Sequence, residues 1–142
     1  MRDIKANMKH DFCLCAVVTE DADGASVDMQ EYKEVAFYAT VGASGDTLSG
    51  SLKFDIGLEH SDDNSTFAAC TDAQVLGSVA SGSTGVFAIV DGATDDEKVY
   101  VAQYRGTKRY VRASITAAGT HTNGTPIAIT ALRWLSNFSP VN

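Results

Sequence analysis

Apolar residues recur at every second position in several short runs of this chain. In KEVAFYATVGA, Val35, Phe37, Ala39 and Val41 alternate with Ala36, Tyr38 and Thr40. In SLKFDIGLEHS, Leu52, Phe54, Ile56 and Leu58 fall on one face, with Lys53, Asp55 and Glu59 on the other. A period of two in β-favouring residues predicts half-buried strands, dry on one side and wet on the other. FCLCAVVT, STGVFAIVDGA, KVYVAQY, KRYVRASITA and TPIAITALRW read as further strands, parted by the turn formers of EDADGAS, GASGDTLSG, SDDNSTF and AGTHTNG. TDAQVLGSVA has room for a helical turn but is too short and too rich in Gly and Ser for a stable helix.

About eight short strands with no sustained helical period predict an all-β fold, a β-sandwich or a jelly-roll-like barrel. At 142 residues the chain forms one domain with a real core. The expected divisions are a polar N-terminal arm over 1–11, the sandwich over 12–135 and a non-periodic tail over 136–142. Both arms are expected to be flexible and to order on a partner.

The net charge of -7 argues against a nucleic-acid partner, because phosphate neutralisation dominates such binding. One stretch runs the other way. YRGTKRYVR gathers Arg105, Lys108, Arg109 and Arg112 beside Tyr104 and Tyr110. Single-strand binding would need this combination of aromatics and cations. The short RGTKR link reads instead as a hairpin turn, with Gly106 available for positive φ. The cations are then expected to meet tyrosines across the hairpin and acidic loops of the same chain or of a neighbouring subunit.

Other candidate chemistry is thin. Cys13, Cys15 and Cys70 are too few for a disulfide framework, and the first two, two apart in a strand, are expected to share a face as small buried hydrophobes. His10, His60 and His121 lack ligand-like spacing, so no metal and no cofactor is expected. Asp62 and Asp63 resemble a carboxylate pair but lie in turn chemistry, and Asp21, Asp23, Gly24 and Asp28 lack the ligand order of a calcium loop. Asp91, Asp95, Asp96 and Glu97 form a second acidic loop. No hydrolase, nucleotide-binding or zinc-protease motif is present, so no catalytic residue is expected. No apolar run approaches the length of a membrane span, and a soluble protein made in a reducing cytoplasm is expected.

Taken together, SLKFDIGLEHSDDNSTFAACTDAQVLG and YVAQYRGTKRYVRASITAAGTHTNGTPIAITALRW resemble a family of small tailed-bacteriophage structural proteins encoded near the major capsid protein. The shared pattern is E-x-S-D-D-x-S-T-F, T-D-A-x-V-L-G, K-R-Y-V-R and a final G-T-P-I strand, over roughly residues 50 to 135. The resemblance implies a virion protein without catalysis, a decoration (cement) protein on the outer capsid surface. Its partner would be the major capsid protein, and it would be a homo-oligomer, commonly a trimer. A head–tail or tail role is the alternative within that family, and a carbohydrate-binding module the alternative outside it. Contacts are expected from Arg2, Ile4, Lys5 and Met8 in the arm, from Arg105, Lys108, Arg109 and Arg112, and from the apolar anchors Trp134 and Phe138. Deleting residues 1 to 9 is expected to leave the domain folded while weakening attachment.

Overall fold

The computed structural model describes residues 7–79 and 84–134. Arg2, Ile4, Lys5, Phe138 and the 136–142 tail lie outside the described residues. Between them the described chain forms β1 (Met8–Val18), β2 (Ala22–Asp23), β3 (Val27–Asp28), β4 (Glu34–Val41), β5 (Lys53–Ser61), β6 (Ala68–Ala69), β7 (Val75–Leu76), β8 (Val86–Val90), β9 (Lys98–Tyr104), β10 (Tyr110–Ala118) and β11 (Thr125–Trp134). Two single 3-10 turns, Asp72–Gln74 and Ala93–Asp95, interrupt the series.

The strands form two antiparallel sheets, giving the all-β sandwich that the alternation implies. Sheet A has five strands in the order β1-β11-β4-β9-β7. Sheet B has six: β10 and β5 at its centre, β2 and β3 on the free side of β10, β6 and β8 on the free side of β5. Apart from β2–β3 and β5–β6, every step along the chain changes sheet. The core lies between the layers. Val35, Phe37, Ala39 and Val41 of β4 and Ile127, Ile129 and Ala131 of β11 meet Phe54, Ile56 and Leu58 of β5 and Val111, Ala113 and Ile115 of β10. Each set holds every second position of its strand, which is why period-two sequences fold this way.

Four sequence expectations change. The link between β9 and β10 is no hairpin. β9 pairs with β4 and β7, whereas β10 pairs with β5, β2 and β3, so residues 105–109 carry the chain from one sheet to the other. Such a step must bridge about 10 Å between layers, which a tight hairpin turn cannot do. Gly106 is likewise not among the positive-φ residues. Its glycine is explained by contact: a Cβ there would sit 2.1 Å from the Tyr104 hydroxyl.

The third change concerns the cysteines. A register shift between Phe12 and Leu14 places a bulge at Cys13, so Cys13 turns into the core while Cys15 faces solvent. One extra residue reverses the alternation beyond it. Fourth, β1 begins at Met8, inside the stretch assigned to the arm, and Lys9, His10 and Asp11 pair with Arg133, Leu132 and Ala131. A deletion of residues 1 to 9 would therefore cut into a paired strand.

Candidate functional site

The basic stretch is anchored by a buried phenol. Tyr104 ends β9 with its ring inward, and the 105–109 link folds back over it. The Tyr104 hydroxyl accepts the Lys108 backbone N–H at 3.0 Å and lies 2.8 Å from His60 Nδ1, whose ring meets it edge-on. Burial pushes the phenol up to about 12 and, with the Lys108 charge second, holds the imidazole below its ordinary value. This cluster fixes the link and so sets where the cations point.

Three of the four cations are engaged within the chain. Arg109 makes a two-pronged contact with Asp28, at 3.0 Å from Nε and 2.8 Å from Nη2. That hydrogen-bonded guanidinium holds the Asp28 carboxyl below the usual carboxylate range. Arg112 bonds Glu59 at 2.7 Å and Asp23 at 2.9 Å and lies 4.1 Å over the Phe67 ring. Lys108 is ion-paired with Asp62. Arg105 is exposed and has no ion-pair partner among the described residues. It lies with Lys33, Glu34, Gln103 and Tyr32 around an open cleft of about 650 Å³. The tyrosine partners differ from those expected, since Tyr100 and Tyr104 sit in the other sheet. Arg109 instead covers its neighbour Tyr110 at 4.9 Å.

The carboxylates flagged in the sequence serve the backbone. Asp63 takes N–H groups from Ser65 and Thr66 and the Ser61 hydroxyl, and these bonds lower its pKa to about 2. Asp21 accepts the Ala117 N–H, and Asp23 the Ser114 hydroxyl, so these two and Asp28 are strung along β10 rather than gathered around one point. Among the described residues, no three His, Cys, Asp or Glu side chains are placed to share a metal ion. Among the described residues, no helix is long and apolar enough to cross a membrane.

Two ionic anchors escaped the sequence reading. Arg133, 7% exposed, bonds both Asp11 oxygens at 2.7 and 2.8 Å, donates to the Asp28 carbonyl at 2.6 Å and stacks on Tyr32 at 4.3 Å. The signal was available: Ile127, Ile129, Ala131 and Arg133 continue one alternation, so an arginine stands in the core series. Asp46 collects the N–H groups of Thr122, Asn123 and Gly124, at 3.2, 3.0 and 2.8 Å, across 76 to 78 residues of chain. Nothing local in GASGDTLSG announces that bond. Of the apolar anchors, Trp134 is half-buried opposite Met8 and Glu34.

The outer faces of the two sheets differ in kind. On sheet B, the central strands present Lys53, Asp55, Glu59 and Arg112, tied in pairs such as Lys53–Asp55 at 2.9 Å. On sheet A, cross-strand rows carry His10–Leu132–Ala36–Gln103, then Phe12–Thr130–Tyr38–Val101, then Cys15–Ala128–Thr40–Val99, then Val17–Pro126. None of these residues is Asp, Glu, Lys or Arg. Phe12 (71% exposed), Val17 (60%), Val99 (59%), Val101 (47%) and Leu76 (49%) stand open on this side. Five large apolar side chains therefore stand in water on this face, and the next row, Met8–Trp134–Glu34, brings a carboxylate to its end.

The class so defined is a two-sheet antiparallel β-sandwich whose ionic groups brace its own loops and one of whose faces is bare. No family model matches the chain, and no curated protein matches it. Among solved structures it is similar to the SPBc2 prophage-derived protein YomS. The TM-score is 0.53 at 13% sequence identity, over 89% of this chain and 92% of that one. The likeness speaks to the fold.

Proposed function

We propose that this protein is a non-enzymatic structural subunit of a bacteriophage virion, a decoration protein that binds the outer surface of the head and braces the major capsid lattice. The observation that carries the reading is the contrast between the two sheet faces. A sandwich with one ion-paired, solvated face and one face whose central rows carry no charge is suited to lie against other subunits. The likeness of its fold to that of a prophage-derived protein supports a phage setting. The braces at Arg109–Asp28, Arg112–Glu59 and Arg133–Asp11 support it too, because they tie loop to strand and strand to strand in a body that must transmit force.

Location decides the matter. In cryo-electron microscopy of purified virions, density for this chain on the outer shell is the expected result. Absence from the particle, or a low copy number confined to the tail, would overturn it. Loss of the chain is also expected to lower the temperature at which heads rupture.

A further inference from the structure

We propose that the apolar rows on the outer face of sheet A, from His10–Leu132 to Val17–Pro126, are closed in solution by the same rows of a second copy of this chain. The inference rests on the assembly surface described above but not on membership of a virion, so the two readings fail separately.

Charge selects the partner. Two copies that each carry -7 repel one another wherever their acidic surfaces approach. The rows from His10–Leu132 to Val17–Pro126 hold no carboxylate, lysine or arginine, and Glu34 stands at their rim beside Gln103, so two acidic molecules that meet over these rows leave that carboxylate at the edge of the contact. The opposite outer face, with Lys53, Asp55, Glu59 and Arg112, offers no such meeting.

Shape agrees. Beside the Phe12 row, Cys15, Val17, Thr40, Gly42, Pro126 and Ala128 line a shallow apolar trough of about 400 Å³. Phe12, on the edge strand, is the largest exposed apolar side chain nearby. A knob and a hollow on one face are self-complementary under a twofold axis, each Phe12 entering the other copy's trough. Two sheet faces pack in this way about 10 Å apart at an angle near 30°.

Area sets the strength. Four strands spaced about 4.8 Å apart, over about 20 Å of β11 from Pro126 to Leu132, give a flat footprint of about 400 Å². With side-chain relief each copy buries roughly 500 Å², so the pair reaches about 1,000 Å², where specific interfaces begin. The expected dimer is therefore weak, with a dissociation constant of order micromolar.

Sedimentation equilibrium of the full chain, from about 1 to 300 μM, tests this across the expected constant. The expected result is a reversible monomer–dimer equilibrium. Val101→Lys and Phe12→Lys place a charge on the face at exposed positions, and each should weaken pairing at least tenfold while leaving the circular dichroism spectrum and melting temperature unchanged. Arg105→Ala, at the cleft, should leave pairing as it is. The solvent-facing Cys15 gives a second readout, because its rate of modification by a thiol reagent should fall as protein concentration rises and should not fall in Phe12→Lys. A monomer throughout the range, or an oligomer that neither lysine substitution weakens, would overturn the proposal. Should either lysine variant unfold, Val99→Thr and Phe12→Ser test the same face more gently.

Discussion

Arg133→Met removes a buried cation of the sandwich while keeping the length of its side chain. The guanidinium makes two bonds to Asp11 and one to the Asp28 carbonyl, and it lies over Tyr32. It joins the first strand, the last strand and the chain just before β4, which are far apart in sequence. Breaking a fully buried pair from one side costs about 3 to 5 kcal/mol, because the remaining charge is left unpaired. The Asp11 side chain keeps 22% of its exposure, so water recovers part of the loss and the lower end applies, about 3 kcal/mol. For a domain of this size that is roughly a 10 °C fall in melting temperature. In urea, with a slope of about 2 kcal/mol/M, the midpoint should drop by about 1.5 M.

The double variant Asp11→Leu/Arg133→Met no longer strands a carboxylate. It should recover stability relative to Arg133→Met alone, a coupling that equilibrium unfolding of all four proteins measures directly. If Arg133→Met stays within about 0.5 kcal/mol of the parent, as an ordinary surface change would, the reasoning fails.

Three further outcomes are expected. Gly85→Ala should cost about 1 to 3 kcal/mol in urea unfolding, since φ there is +63° and the new Cβ would lie 2.7 Å from the Cys70 carbonyl; a neutral result would show that the turn can move. Asp63, lowered from 3.8 to about 2 by its hydrogen bonds, contributes stability that is complete above the unfolded value and lost as pH falls through the folded one. Asp63→Asn should therefore flatten the acid limb of the stability profile between about pH 4 and 2, and an unchanged limb would count against these hydrogen bonds. Native protein should show one readily modified thiol, Cys15. Cys13 and Cys70 are buried, with burial raising them to about 11 and about 12, so two or three fast thiols would contradict the placement of the bulge.

The alternation in KEVAFYATVGA, SLKFDIGLEHS and TPIAITALRW was enough to place β4, β5 and β11 and to name the residues they bury. Inward and outward positions are a local property of a pleated strand, so a short window of sequence contains them. The same windows showed that Lys108, Arg109 and Arg112 belong together. Their partners were out of reach, because Asp62, Asp28, Glu59 and Asp23 are 46 to 89 residues away along the chain and arrive only when the sheets pair. For the same reason RGTKR looked like a hairpin: composition reports a turn but not which sheet receives the next strand. The bulge at Cys13 is likewise invisible locally, since nothing in FCLC marks the extra residue that turns Phe12 and Cys15 outward. Sequence alone therefore determined the long central strands, the faces of β4, β5, β10 and β11, and the acidic balance. Which apolar positions are buried between the sheets, and which stay exposed on the outer face of sheet A, was decided by strand order, because exposure depends on neighbours that only the tertiary fold supplies.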